Sequence, residues 1–347
     1  MAQELAPPTA LTSRPDIGVG LEGLADWSRA MMFTDAMKTS RQWGKPAQPW
    51  EHTVKTDALG WPTEDAGIVV IADTPGISGT YKLSFSGKAD VRGVTANTQV
   101  ENFKFDAATK KGSADVVVGD TTSLMLAFEN TDGGVRDVRL LRPEAKDSST
   151  FSQPFLEKLA PFSTLRFMDF LNTNNNPVKS WDQRTTSKNA SQAGEKGGAL
   201  EYVVELANLT DKDIWVNVPD QADDDYARQM ATLLKNGLEK ERKVYVEFSN
   251  EVWNWGFSQA TRNLEAAKIE GKQPNSPLIY DKSDNDGYWA MRRIAKRSAE
   301  IGKIFRDVFE TTDFSRVRPV YAVQVGYEEV YKQGLEFLEN EYKQPNS

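Results

Sequence analysis

The sequence predicts an α/β protein in which about five βα units form part of a (β/α)8-type barrel, with an all-β sandwich module inserted. Three observations support this fold. In the second half of the chain, strand-like runs alternate with helical patterns, as in parallel βαβ units. Residues 60–143 instead carry short alternating runs about ten residues apart, a spacing typical of a β-sandwich. The strands of the second half are apolar on one face and polar on the other.

These patterns divide the chain into a flexible leader at 1–15, a barrel-type domain at 16–59 and 144–347, and the inserted module at 60–143. The leader is polar and proline-rich and contains no apolar core of a signal peptide. A helical pattern follows the first strand, at 24–40. In the module, we predict strands at 67–73, 79–87, 98–105, 113–119, 122–130 and 135–143.

The barrel-type domain contains five predicted strands, at 17–21, 164–170, 213–218, 243–249 and 317–324. Helical periodicity occurs in the intervening and following stretches, at 152–162, 197–210, 223–238, 288–310 and 327–342. The stretch 172–198 is rich in Asn, Ser, Thr, Lys and Gly and predicts a long loop. Loops of this length are usually functional or mobile.

Composition excludes several classes of function. A net charge of −8 argues against a nucleic-acid partner, which requires a basic face. No apolar run approaches the roughly 18 residues of a membrane span. Cysteine is absent and His52 is the single histidine, so thiolate metal sites and Ser-His-Asp catalysis are disfavoured. We expect no cofactor and no metal, and any catalysis must use carboxylates.

The run "VYVEFSNE" at 244–251 determines which side chains matter, because side chains alternate across a strand. Its apolar residues should face the helices, whereas Glu247 and Glu251 should face the interior of the barrel. The same alternation directs Asn217 and Arg166 inward on neighbouring strands. Arg166 is therefore expected to form a buried ion pair with Glu247, and Glu251 to emerge at the carboxyl end, where barrel enzymes carry their catalytic groups.

A strand that ends in Asn250-Glu251, with tryptophans after it and an inward Arg166, resembles the clan-A glycoside hydrolases. The resemblance implies a retaining enzyme in which Glu251 is the general acid/base and Asn250 binds the sugar 2-hydroxyl. Longer strings, "LADWSRAMMFTDAMKTSRQW", "LRFMDFLNTN", "ADDDYARQMATLL" and "VYVEFSNEVWN", are similar to secreted bacterial proteins labelled as cellulose-binding or glycosidase-like. This resemblance spans most of residues 16–325 and implies a secreted or cell-surface location.

The chain departs from that family in one respect, because clan-A enzymes carry their nucleophilic Glu after a seventh strand and only five strands are predicted here. Three explanations remain open: a longer protein, a barrel that is incomplete or completed by a partner, or a site that works without this nucleophile. An open parallel sheet would also leave an exposed strand edge, through which the chain could self-associate.

Hydrolysis of a glycosidic bond requires a second carboxylate. The candidates at strand ends are Asp169, Asp220 and Glu22. Trp253 and Trp255 could form an apolar wall that raises the pKa of the acid, or could stack on sugar rings.

The three consecutive Asp residues at 223–225 are interpreted as a helix cap rather than a calcium site. The leading hypothesis is a glycoside hydrolase-like protein acting on a β-linked polysaccharide. The alternative is a non-catalytic carbohydrate-binding protein or a cell-surface assembly protein. The expected partner is a polysaccharide or oligosaccharide.

Overall fold

The structure is a computed structural model that describes residues 16–143, 145 and 148–343, so the predicted leader at 1–15 lies outside the described residues. The strands, in chain order, are β1 Gly18–Gly20, β2 Ala66–Ile71, β3 Gly79–Ser86, β4 Asp90–Gly93, β5 Thr98–Asp106, β6 Lys111–Val118, β7 Leu124–Glu129, β8 Arg136–Leu141, β9 Thr164–Arg166, β10 Asp213–Val218, β11 Val244–Phe248 and β12 Val317–Val320. The α-helices are α1 Gln153–Leu159, α2 Leu200–Thr210, α3 Asp224–Gly237, α4 Ser258–Gly271, α5 Asp286–Phe309 and α6 Glu328–Tyr342.

A five-stranded parallel sheet organises the part of the chain that carries the candidate site. Its strand order is β1-β9-β10-β11-β12. One face of this sheet is apolar and packs in a single core with residues from α2, α3 and α5. The other face is polar. Because the strands are parallel, their carboxyl ends all meet at one edge of the sheet, which we call the carboxyl edge.

The predicted partial (β/α)8 barrel is wrong. The parallel sheet is open, with β1 and β12 at its two edges, and the other seven described strands belong to antiparallel sheets, which therefore dominate the β-structure. The protein is a mixed α/β fold. The prediction failed because βαβ repeats have the same sequence pattern in an open sheet and in a barrel. Closure depends on strand number, tilt and stagger, which the pattern does not encode.

The antiparallel strands form a three-stranded sheet, β2-β7-β4, and a four-stranded sheet, β5-β6-β3-β8. Inward side chains of both sheets share one core, which includes Ile68 and Leu126 from the first sheet and Tyr81 and Val116 from the second. Each of the six strand runs predicted in this region contains an observed strand. The short strand β4 was not predicted, because it offers only four residues of weak alternation.

All five strands predicted for the parallel sheet are present, and so are the five predicted helices of the second half. Two errors remain among the elements. The segment 24–40 is not an α-helix; only Ala36–Thr39 forms a 3-10 helix, because backbone bridges tie Phe33 and Asp35 to distant segments. Helix α4 was missed, because its sequence lacks a strong apolar stripe. None of the helices described is both long and apolar enough to cross a membrane.

Candidate functional site

A row of large side chains crosses the polar face of the parallel sheet. Backbone register places Arg166, Trp215, Tyr245 and Arg318 opposite one another on four neighbouring strands. The Arg166 guanidinium lies 4.6 Å from the centre of the Trp215 ring, and that of Arg318 lies 5.3 Å from the Tyr245 ring. Arg318 also donates a hydrogen bond of 2.7 Å to the Tyr245 hydroxyl. Cation–π contacts of this kind hold the row together.

Glu247 is the centre of a buried polar cluster one step closer to the carboxyl edge. Its Oε2 accepts hydrogen bonds from Arg166 Nη2 at 3.0 Å, Trp215 Nε1 at 2.9 Å and Asn217 Nδ2 at 2.8 Å. The predicted ion pair between Arg166 and Glu247 is thus confirmed. Burial raises the pKa of Glu247, and the Arg166 charge and the three hydrogen bonds oppose that rise.

Asn250 lies at the carboxyl edge and is held from both sides. Its Oδ1 accepts a bond of 3.0 Å from Arg166 Nη2, and its Nδ2 donates to Asn174 Oδ1 at 3.0 Å. Gln259 adds two hydrogen bonds, because its Nε2 donates to Asn174 Oδ1 at 2.8 Å and to the Asn250 carbonyl at 2.9 Å. We call these contacts of Asn174 and Gln259 the clamp around Asn250. The amide of Asn250 is therefore oriented in advance, with Arg166 linking it to Glu247.

The backbone on both sides of Asn250 is left-handed. Ser249 has φ 54° and Glu251 has φ 42°, values that residues other than glycine rarely adopt. Such strain often accompanies functional sites, where the surrounding structure stabilises it. Here Asn254 closes a short turn, since its Nδ2 donates to Glu251 Oε2 at 2.8 Å and its backbone N–H to the Glu251 carbonyl at 2.8 Å. Glu251 is half-buried in this turn.

The two tryptophans that follow differ in exposure. Trp253 is half-buried, whereas the side chain of Trp255 is 63% exposed. The loop that carries Trp255 is well defined by hydrogen bonds: Gly256 donates to Asn254 Oδ1, and Ser258 donates to Asn175 Oδ1. Most of the Trp255 indole therefore faces solvent from an ordered loop at the carboxyl edge, next to Glu251.

The three candidates for a second carboxylate have different surroundings. Asp220 accepts two hydrogen bonds from Arg262, at 2.6 and 2.8 Å, and lines a charged cavity of about 640 Å³ between α3, α4 and α5. Asp169 is exposed, and Glu22 accepts a hydrogen bond from Ser28 at 2.8 Å. The structure thus brings Arg166, Asn217 and Asn250 into one cluster, with Glu251 and Trp255 beside it, and engages Asp220 in an ion pair outside that cluster.

Sequence reasoning missed Asn174 and Gln259, which fix the position of Asn250. Asn174 belongs to the run "NTNNN" in the long loop, and Gln259 lies in the first turn of α4. The Asn-rich composition of the loop was the available signal for Asn174. Nothing in the local pattern distinguishes Gln259, because its role depends on how α4 packs against the loop.

Comparison of the chain with protein-family models, with curated proteins and with solved structures finds no match. The functional argument therefore depends on the geometry of the carboxyl edge.

Proposed function

We propose that this chain binds a β-linked polysaccharide or oligosaccharide at the carboxyl edge of the parallel sheet. The observation that supports it is the exposed indole of Trp255, 63% accessible on an ordered loop. Leaving a large aromatic side chain in water forgoes about 2 kcal/mol of burial energy, so the exposure calls for an explanation. A flat indole face can stack on the C–H face of a pyranose ring, and a ligand of this kind would recover that energy.

Polar groups beside Trp255 suit the hydroxyl groups of a sugar. Asn250 is buried, and its amide bonds to Arg166 and Asn174, so it anchors the strand end that carries Glu251. The Glu251 carboxylate is oriented by Asn254 and can accept hydrogen bonds from sugar hydroxyls. A location outside the cell or on its surface suits a polymeric ligand and belongs to the same proposal.

Hydrolysis of the glycan is the second candidate function, with Glu251 as general acid/base. The Asn250-Glu251 pair that follows β11 favours it, because this pair resembles the one that carries the general acid/base in clan-A glycoside hydrolases. A retaining mechanism also needs a nucleophilic carboxylate about 5 Å from the acid. Since Asp220 is bound by Arg262, the arrangement supports binding better than turnover.

The test is a panel of soluble β-glucans, mannans and xylans, run with the full chain by affinity electrophoresis and by release of reducing ends. We expect Trp255→Ala to weaken binding about five- to tenfold, since losing one stacking contact costs about 1–1.4 kcal/mol. The matched control is Phe314→Ala, which removes another exposed aromatic side chain, next to the amino end of β12.

Retention of full affinity by Trp255→Ala, or the absence of binding to every glycan, would reject the proposal. Hydrolysis would be established if the wild type releases reducing ends and Glu251→Gln lowers the rate of that release at least about 100-fold, because general acid catalysis contributes at least that factor. No release of reducing ends, with binding intact, would establish a binding protein.

A further inference from the structure

A second exposed indole lies near the same edge of the sheet. Trp27 is 58% exposed and follows β1, the strand at the far side of the sheet from β12. Ser28, its neighbour, donates a hydrogen bond of 2.8 Å to Glu22, which lies just past the end of β1. The guanidinium of Arg41 lies 5.8 Å from the Trp27 ring centre and is itself fixed by a 2.9 Å ion pair with the buried Asp26.

Arg41, which lies over the Trp27 ring, also lines a cavity of about 310 Å³. Its volume lies at the small end of the range for ligand pockets in proteins. The cavity is also lined by apolar side chains such as Trp43, Val54 and Leu59. Six further lining residues supply amide, hydroxyl, imidazole and charged groups, which suit a polyhydroxylated ligand: Gln42, His52, Thr56, Asn189, Ser191 and Lys196.

The long loop at 172–198 joins this cavity to the Asn250 site. Near its start, Asn174 accepts the hydrogen bond from Asn250, and Asn175 binds Ser258 and Gln259. Near its end, Asn189 and Lys196 line the cavity beside Arg41. The same segment therefore contributes side chains to both places, and a ligand that occupied both would have to span the distance between them.

The spacing of the strands sets the length of such a ligand. The strands β9 and β10 separate β1 from β11, so the ends of β1 and β11 are three strand spacings apart, or about 14 Å. A single sugar ring cannot span this distance, whereas a chain of several units can.

Building on the proposed function, we infer that the ligand is an extended glycan that reaches from Trp255 past the 172–198 loop, with Trp27 and the cavity lined by Arg41 as a remote subsite. Units bound at the remote subsite are tethered to units bound at Trp255, so each contact raises the effective concentration for the other. Affinity should therefore increase with chain length until both subsites are filled.

Titration calorimetry of the full chain tests this inference with cello-, manno- and xylo-oligosaccharides of two to six units. For the backbone that binds, we expect the wild-type affinity to rise from trimer to hexamer. Trp27→Ala should remove this rise and weaken hexamer binding about five- to tenfold, the value of one aromatic contact, while leaving dimer binding unchanged. Trp255→Ala should weaken binding at every length, and Phe314→Ala should match the wild type.

A hexamer affinity that is unchanged in Trp27→Ala would overturn the remote subsite and leave the site at Trp255 standing. The same holds if Trp27→Ala weakens the dimer and the hexamer equally, because a remote contact cannot act on a short ligand. If the wild type binds no oligosaccharide of any length, the proposed function and this inference both fail.

Discussion

Glu247 is a buried side chain that helps to position the residues of the candidate site at the carboxyl edge. Only 2% of this residue is accessible, and its Oε2 accepts all three hydrogen bonds described above. Taking a carboxylate out of water is costly unless it is paired and hydrogen-bonded. Arg166 pairs with Glu247 and extends to Asn250, so the position of this buried amide depends on the ion pair.

The raised pKa of Glu247 makes stability depend on pH. The folded protein retains a proton on this group at pH values where the unfolded chain has already lost it. Its stabilising contribution is therefore complete below the unfolded pKa and is lost as pH rises through the folded pKa. We expect Glu247→Gln to flatten the profile in this window, where one proton gives a slope of at most about 1.4 kcal/mol per pH unit.

Urea unfolding of wild type and Glu247→Gln from pH 4 to pH 8 measures this slope. Glu251→Gln is the control, because it makes the same chemical change in a neighbouring side chain outside the buried cluster. Parallel pH profiles for wild type and Glu247→Gln would contradict the assignment.

Among the elements, helix α3 shows what a run of acidic residues at a helix N-terminus does. Asp223 is the N-cap residue of this helix, and its Oδ1 accepts a hydrogen bond of 2.7 Å from the Tyr226 N–H. Asp224 forms an ion pair with Arg297, and Asp225 is exposed in the first turn. The structure supports the capping interpretation of the three Asp residues, since a cap satisfies N–H groups that the helix cannot pair internally.

Replacing the N-cap residue Asp223 should lower the free energy of unfolding more than replacing Asp225 in the first turn. We expect Asp223→Ala to lower the free energy of unfolding by about 1 kcal/mol, the usual value of an N-cap hydrogen bond. Asp225→Ala, the control, loses its interaction with the helix dipole, about 0.3 kcal/mol, and a long, exposed hydrogen bond of 3.5 Å from Gln229. Urea unfolding distinguishes the two. Equal losses, or stabilisation of the wild type by added Ca²⁺, would favour a metal site instead.

Strand β5 shows how a local irregularity changes which side chains are buried. Phe103 and Phe105 alternate along the strand as core residues would, yet the structure exposes them at 41% and 36%. The register of β5 against β6 shifts between Glu101 and Lys104, with Asn102 at φ 53°. A bulge of this kind reverses the side-chain pattern that follows it, because the period of a strand is two residues.

At the scale of the whole molecule, the described residues form two large apolar cores. One lies between the parallel sheet and its helices, and the other lies between the two antiparallel sheets. The open parallel sheet has β1 and β12 as its edges, and self-association through an edge remains a proposal. Cores that share few residues can unfold separately, so a single two-state transition is not expected.

Matched substitutions in the two cores test this separation. Leu206 in α2 and Leu126 in β7 are both fully buried, one in each core. We expect each Leu→Ala change to cost about 2–5 kcal/mol in its own core. Differential scanning calorimetry should show two transitions, with Leu206→Ala lowering one and Leu126→Ala the other. One transition lowered alike by both variants would mean that the cores unfold together.

Much of the site was predictable because strand periodicity is a local property. Alternation directed Arg166, Asn217 and Glu247 to one face, and the structure places them in hydrogen-bond contact. The clamp around Asn250 was not predictable, because Asn174 and Gln259 are brought to it from 76 and 9 residues away by loop packing. The surroundings of Asp220 were not predictable either. Its partner Arg262 lies on α4, the helix that the sequence analysis did not predict.

The sequence by itself determined most of the strands and helices, the face on which the polar residues of the parallel sheet lie, and the acidic, cysteine-free chemistry available. These follow from backbone periodicity and composition, which act over a few residues. Only the tertiary structure decided that the parallel sheet stays open, that Asn250 is clamped, and that Trp27 and Trp255 are left exposed near one edge. Those features depend on contacts between segments far apart in the chain, whose geometry no local pattern specifies.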